Sequence, residues 1–403
     1  MSRLFPILLP VLLIALAACD GGDRQASVAV RETAMPPPAV PALRVMTYNT
    51  SLFDATDGAL IARLASGDDN ARRIAAVIQH LRPDVLLLNE FDHDSAERAA
   101  ELFQREYLEV PQAGQAPLRY DFRFSAPVNT GVPSGLDLDG DGASDTPNDA
   151  WGYGRHPGQY GLLVLSRYRI DAAAVRSFQH LRWAAMPDAR RPLREDGTPF
   201  HSDTVWQQLR LSSKSHWDVP IHAPGGVLHF LVAHPTPPVF DGPEDRNGNR
   251  NFDEIRLFAE YVSPGEKAWL CDDAGRCGGV PADARFVIAG DMNADPSDGD
   301  GVPGAIAQLL QHPRVDAGFV PRSAGAVARA RGYGLALRGD AASKTGDYGP
   351  RTGVLRLDYV LPSRGFVVRD GGVFWPTDDA RAADWLTASD HRPVWLDLEV
   401  AGP

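Results

Sequence analysis

From residue 42 onward, short apolar runs alternate with stretches of helical periodicity. Leu43-Arg-Val-Met-Thr-Tyr-Asn49 suits a strand. Between Asn70 and Leu81, the residues Ile74, Val77, Ile78 and Leu81 recur at i, i+3, i+4 and i+7, and Pro83 stops the amphipathic helix they predict. Asp84-Val-Leu-Leu-Leu88 reads as a buried strand. This strand–helix–strand unit sets Asn49 and Glu90 near the carboxyl ends of its strands, where open α/β sheets commonly gather ligands. Further strands are predicted at Tyr160–Leu165, Leu228–Ala233, Phe286–Ala289, Leu357–Leu361 and Val394–Val400. Two long Gly/Asp/Pro-rich stretches, 126–158 and 235–253, read as loops. Loops of that length inside a compact domain usually serve a function or are disordered. No internal repeat or second tether interrupts the pattern, so residues 42–403 are expected to form one domain.

The N-terminus follows a different rule. Arg3 precedes an apolar run from Leu4 to Ala18, short for a bilayer span but suited to a signal peptide over residues 1–18. Leu16-Ala17-Ala18-Cys19 resembles a bacterial lipobox, which makes Cys19 the expected lipidation site. Residues 19–41, ending in Pro36-Pro37-Pro38 and Pro41, read as an extended tether. The expected location is therefore a membrane-anchored lipoprotein facing the periplasm or the outer surface of a bacterium. In such an oxidising compartment the close pair Cys271 and Cys277 reads as a local disulfide.

Composition narrows the function classes. The chain has 403 residues, 44% hydrophobic and 23% charged, which is ordinary for a globular protein. Forty Lys+Arg against 52 Asp+Glu give a net charge of −12. Such a surface disfavours non-specific electrostatic binding of nucleic acid, because it repels a phosphate backbone. Enzymatic attack on a phosphoester remains open wherever the site is locally basic or holds cations.

The polar residues on or beside the predicted strands form one chemical set: Asn49, Glu90, His234, Asp291 with Asn293, Asp358, and Asp390 with His391. Hard oxygen donors suit Mg²⁺, Ca²⁺ or Mn²⁺, whereas zinc more often recruits further histidines or cysteines. Two histidines add an acid–base and electrostatic pair. The ordered series Thr47-Tyr48-Asn49, Asn89-Glu90, Leu165-Ser166-Arg167, Ala233-His234, Gly290-Asp291-Met292-Asn293, Leu357-Asp358-Tyr359-Val360-Leu361 and Ser389-Asp390-His391 resembles the endonuclease/exonuclease/phosphatase superfamily. That group includes deoxyribonuclease I and the sphingomyelinases, and the resemblance spans about residues 43–400.

The resemblance implies a four-layer α/β sandwich of two packed mixed β-sheets flanked by helices. It also implies a Mg²⁺- or Mn²⁺-dependent phosphoester hydrolase acting on nucleic acid first and a phospholipid headgroup second. Glu90 would bind the cation, with Asn49 and Asp390 completing the site. Asp291 and Asn293 would orient the attacking water. His391, oriented by Asp358, would contact the phosphoryl group beside His234, and which imidazole is base and which acid stays open. A glutamate that pairs with the first histidine in deoxyribonuclease I has no counterpart in Pro157-Gly158-Gln159-Tyr160, leaving Gln159 or backbone to hold His234.

Other features extend this reading. Asp137, Asp139 and Asp141 have the spacing of a calcium loop, with Asn148 at the twelfth position, so structural Ca²⁺ is a candidate. Asp245, Asn247 and Asn249 repeat the idea with weaker ligands. Lys214 and Arg167 are candidate phosphate contacts, and Asp295, Asp298 and Asp300 could extend a metal-binding surface. No segment points to a protein partner. The competing class is a calcium-dependent binding or scaffold protein that kept the fold and lost turnover, against which the joint presence of Glu90, Asp291, Asn293, Asp358, Asp390 and His391 argues.

Overall fold

A computed structural model describes residues 42–400, so the segments expected to be a signal peptide and a tether, with Cys19, lie outside the described residues. The strands in chain order are β1 (Leu43–Leu52), β2 (Val85–Phe91), β3 (Phe122–Phe124), β4 (Leu162–Ser166), β5 (Arg176–Ser177), β6 (His216–Ala223) and β7 (Gly226–Ala233), followed by β8 (Arg285–Asp291), β9 (Gly346–Asp347), β10 (Val354–Leu355), β11 (Asp358–Pro362), β12 (Phe366–Val373) and β13 (Val394–Val400). One sheet runs β12–β13–β1–β2–β4–β3 and a second runs β11–β8–β7–β6–β5, while β9 and β10 pair in a small ladder. Both large sheets are mixed: β1 pairs with β2 and β7 with β8 in parallel, and their other pairings are antiparallel.

Side-chain alternation along the strands builds the layers. Val45, Val85 and Leu87 of the first sheet share one buried core with Val219, Phe230, Val232, Val287 and Ala289 of the second. The intervening residues face outward. Met46, Tyr48, Leu86 and Leu88 pack with Ile74, Val77 and Ile78 of the helix Asp69–Leu81, whose N-cap Asp68 accepts from the Ala71 N–H. Phe286 and Ile288 pack with Ile255, Phe258 and Val262 of the helix Arg246–Val262. The result is the expected four-layer order of helices, sheet, sheet and helices. Each predicted strand overlaps an observed one.

One expectation is corrected. Residues 235–253 are not loop throughout, because the helix Arg246–Val262 begins inside them. Its buried positions include Asn251, Glu254, Ile255, Phe258, Tyr261 and Val262. That is helical periodicity whose first buried positions are polar, so apolar residues alone conceal its start. β6 is hidden for a similar reason: buried Asp218 interrupts its apolar run and accepts hydrogen bonds from Tyr261 Oη at 2.6 Å and His229 Nδ1 at 2.9 Å. Cys271 and Cys277 form the expected disulfide. Its loop is also held by buried Asp272, which accepts from the guanidinium groups of Arg176 and Arg276.

Gly290 shows why one motif begins with glycine. A Cβ added there would stand 2.0 Å from the carbonyl oxygen of Ala233 on the neighbouring parallel strand. We predict that Gly290→Ala destabilises the protein by about 2–3 kcal/mol through overpacking, measured by chemical denaturation. An unchanged midpoint would refute this account of the glycine.

Candidate active site

The inward-facing rows of both sheets end in polar residues at one end of the sandwich. Asn49 follows Val45 and Thr47, Asn89 follows Val85 and Leu87, His234 follows Phe230 and Val232, and Asp291 follows Val287 and Ala289. Asp358 precedes inward Val360 and pairs directly with Asp291 across β11 and β8. The strand periodicity that builds the core therefore also delivers these groups to one place. A bulge places the remaining carboxylate. Asn49 pairs with Asn89 and Leu52 with Phe91, leaving Thr50 and Ser51 opposite Glu90. Ser51 and Glu90 adopt φ of +50° and +55°, and Asn293 adopts +49°. Bulges and left-handed non-glycine residues concentrate at functional sites, where they re-aim side chains.

Asp291 is the hub. Its Oδ2 lies 3.1 Å from Asn49 Nδ2, 3.5 Å from His234 Nε2 and 3.4 Å from His391 Nε2. Its Oδ1 accepts the Asn293 N–H at 2.9 Å. Asn49 Nδ2 also donates to Glu90 Oε1 at 3.0 Å. On the far side, His391 Nδ1 meets Asp358 Oδ2 at 2.8 Å, and Thr345 Oγ1 donates to the same oxygen at 2.7 Å. Ser389 Oγ accepts the His391 N–H and donates to the Asn49 carbonyl, tying the β13 approach to β1.

Burial and charge separate the two imidazoles. Burial opposes a charge on His391, yet Asp358 and Asp291 outweigh it and raise the pKa to about 10. His234 goes the other way: burial first, then the nearby positive charges of Lys214 and His391, hold it well below the ordinary histidine value. Burial pushes the Asp291 carboxyl up to about 7 against the pull of His391. It also raises Glu90, opposed by Asn49, His391 and Lys214. Lys214, buried near Glu254, Glu90 and Asp291, is lowered by desolvation.

These groups open into a cleft of about 1510 Å³ that Glu90, Lys214, His234, Asp291, Asn293, Asp390 and His391 line together. Asp390 lines it as an exposed carboxylate with no side-chain hydrogen bond among the described residues. Asn293 Nδ2 donates to the Pro235 carbonyl at 3.0 Å, fastening its loop to the segment after His234.

Several expectations are corrected. Arg167 does not reach the cleft: it follows β4 at the opposite end of the sheet and pairs with Asp84 at 3.1 Å. Gln159 does not orient His234, since its Nε2 donates to the Asp54 carbonyl. His234 Nδ1 is buried without a partner among the described residues. Asp295 and Asp298 do not extend a metal surface, because both grip buried Lys344, at 2.7 Å and 2.6 Å.

Two of the three aspartates of the first acidic loop converge, and the third does not. Asp137 and Asp139 gather with Asp149, while Asp141 turns to the Ala143 N–H. Asp137 also accepts from the Gly140 and Gly142 N–H groups, and Asp139 from Asn148, while Asp137, Asp139 and Asp149 stand close enough to share one cation. Asp245, Asn247 and Asn249 form the entry to the helix Arg246–Val262, with Asn247 donating to Val239 and Asn249 to Asp245.

The helix that the loop reading concealed braces the site. Glu254 accepts the N–H of Ser213, beside Lys214, and of Thr236, two residues after His234, each at 2.6 Å. Asn251 Nδ2 donates to the carbonyls of Thr236 and Met292, joining the His234 and Asp291 loops at 2.8 Å and 2.9 Å. Half-buried Arg250 clamps the carbonyls of Trp151, Arg210, Leu211 and Ser212. The spacing of Asn251, Glu254, Ile255 and Phe258 is the sequence signal for this brace. Thr345 and Tyr348 carry no comparable signal.

The motifs lie within residues 46–391, all of which match the model of the Endonuclease/Exonuclease/phosphatase family. The chain belongs to this family. Its members are metal-dependent hydrolases of phosphoesters. No curated protein matches the sequence. Among solved structures, the endonuclease/exonuclease/phosphatase from Beutenbergia cavernae DSM 12333 is similar with a TM-score of 0.49 at 21% identity, covering 90% of this chain and 72% of that one. Sphingomyelinase C from Streptomyces griseocarneus gives 0.42 at 18% identity over 89% and 99% of the two chains. The human Nocturnin catalytic domain with bound sulfate gives 0.42 at 14% identity over 90% and 95%.

The family implies a divalent cation, and the residues fit one. Among the described residues the Glu90 carboxylate receives a single side-chain hydrogen bond, from Asn49, while burial destabilises its charge. With Asp291 and Asp390 nearby, the available donors are hard oxygens suited to Mg²⁺ or Mn²⁺.

The His391–Asp358 contact makes a measurable prediction. A histidine with a folded pKa of about 10, above its ordinary 6.5, contributes stability that is full below pH 6.5 and lost as pH rises through about 10. Asp358→Asn should lower the His391 pKa by at least about two units, read by NMR titration, and flatten the alkaline decline in stability. A pKa unmoved by the substitution would remove Asp358 from the role of orienting charge.

Proposed function

We propose that this protein is a divalent-metal-dependent phosphodiesterase working outside the cytoplasm, with nucleic acid as its first substrate class. The observation that carries the reading is the contact of one buried carboxylate, Asp291, with two imidazoles of opposite charge preference and with the amide that holds Glu90. Glu90, Asn49 and Asp390 would hold Mg²⁺ or Mn²⁺, which when bound neutralises charge on a non-bridging phosphoryl oxygen. Water positioned beside Asp291 and Asn293 loses its proton to neutral His234. His391, kept charged by Asp358, stabilises the phosphoryl group and is the proton source on the leaving side.

The distribution of cations supports a singly charged diester. Among the basic residues lining the cleft, Arg246 pairs with Glu244, Arg329 with Asp347, and Arg250 and Arg392 are engaged by backbone carbonyls. Lys214 has no such engagement among the described residues, so the cleft is sparse in free positive charge for a polyphosphorylated ring. Phe53, Tyr153, Tyr160 and Phe240 also line the cleft, and aromatic faces of this kind stack on nucleobases. The Leu-Ala-Ala-Cys19 sequence supports an anchored lipoprotein.

The test is hydrolysis by the full chain in detergent of DNA, RNA, sphingomyelin, bis-p-nitrophenyl phosphate and a phosphomonoester, with Mg²⁺, Mn²⁺, Ca²⁺ or chelator. Cleavage of nucleic acid that chelator abolishes is expected. Cleavage confined to sphingomyelin would move the substrate to phospholipid headgroups, and silence throughout would favour a binding protein. Glu90→Ala should lower turnover at least about 100-fold with an unchanged unfolding midpoint; near wild-type rates would sink its assignment. Cys19→Ala should abolish incorporation of labelled palmitate in the bacterial host, and persistent labelling would exclude that cysteine as the anchor.

A further inference from the structure

Tyr348 stands in the site without a role in the reading above. Its hydroxyl lies 2.8 Å from His391 Nε2, and its ring crosses the imidazole nearly at right angles, at 85° and 5.7 Å between centroids. The tyrosine is half-buried and lines the cleft with Glu90, Asp291 and His391. The chain holds it there deliberately in structural terms. It follows β9 in the turn that leads to β10, and Gly349 and Gly353 beyond it adopt φ of +76° and +90°. A Cβ on Gly346 would stand 2.7 Å from the Tyr348 ring, so the glycine leaves room for the ring to fold back over its own strand. That strand is locked to the motif it serves: Asp347 donates its N–H to the Asp390 carbonyl, and Arg392 donates its own to Thr345.

Asp358, His391 and Tyr348 thus form a continuous array of carboxylate, imidazole and hydroxyl, with both links at 2.8 Å. A hydroxyl at the outer end of such an array is the atom that meets the substrate, because the imidazole behind it is already engaged on both nitrogens. We propose that Tyr348 is a catalytic residue that delivers the proton to the leaving oxygen of the phosphodiester. This inference rests on the phosphodiesterase reading and deepens it. The bond from the water oxygen to phosphorus forms while the bond from phosphorus to the leaving oxygen breaks. The phenolic proton passes to that oxygen, the Nε2 proton of His391 passes to the phenolate, and solvent restores the imidazole. The proton lost by the attacking water goes to His234, which releases it to solvent as His391 regains its own. The net reaction consumes one water and releases an alcohol and a phosphomonoester, with no oxidation or reduction.

The leaving group provides the test. A p-nitrophenolate departs without protonation, whereas the alkoxide of a dinucleotide requires it. Tyr348→Phe keeps the ring and removes the hydroxyl, and its unfolding midpoint is compared with that of the wild type. With Mg²⁺ present, the variant should hydrolyse bis-p-nitrophenyl phosphate within about threefold of the wild-type kcat and lose about 100-fold in kcat on a dinucleotide, with little change in KM. Equal losses on both esters would overturn the proton-donor role, since a packing defect or a phosphoryl contact is blind to the leaving group. No loss on either, or a gain, would also overturn it, a gain marking Tyr348 as an obstruction over His391. A wild-type protein that hydrolyses neither ester sinks the phosphodiesterase reading itself, and this proposal with it.

Discussion

The buried carboxylate of Asp291 is the constraint on which the rest of the site depends. An ionised carboxylate out of water is costly unless donors surround it. Here an amide and a backbone N–H donate to its two oxygens, and two imidazole nitrogens stand within 3.5 Å. These groups come from different parts of the chain, so accommodating one charge joins β1, β7, β8 and the approach to β13. The same requirement explains Gly290, since the strand carrying Asp291 must pass against Ala233 more closely than any side chain permits. It also explains the bulge, which brings Glu90 to the other side of Asn49.

The loops around this centre are fixed by hydrogen bonds rather than by apolar packing. Glu254 and Asn251 hold the segments beside Lys214, His234 and Asp291 through backbone groups, at buried residues. Removing either side chain leaves buried N–H or carbonyl groups without partners, which costs about 1–3 kcal/mol per group. The helix Arg246–Val262 thus serves two layers at once. Its apolar face completes the outer core of the second sheet, and its first turns set the spacing of the cleft.

An acidic protein that attacks an anionic ester needs positive potential concentrated where the ester sits. The chain carries a net charge of −12, yet Lys214, His391 and a bound cation would converge on one end of the sandwich. Low-dielectric surroundings make those few charges effective over short distances, while the acidic remainder discourages anions elsewhere on the surface. The two histidines take different protonation states for the same reason. His391 has Asp358 behind it, whereas the buried Nδ1 of His234 has no partner among the described residues.

The sequence by itself determined where seven of the strands lie along the chain and the ordered motifs at their ends. Each of these depends on local alternation and on residue types that sit a few positions apart, as with Val287, Ala289 and Asp291. Glu90, His234 and His391 were legible because short motifs of chemically distinctive residues carry them. Arg167 was misread because its motif position says nothing about which end of the strand it occupies relative to the cleft. The helix brace was half-visible, its spacing intact but its first buried positions polar.

What only the tertiary structure decided was which distant groups share an atom. Tyr348 meets His391 across 43 residues and Thr345 meets Asp358 across 13. The place of Asp149 rather than Asp141 in the acidic cluster and the difference between the imidazoles belong to the same class. Those outcomes depend on distance, burial and the direction of individual hydrogen bonds, which sequence separation does not encode.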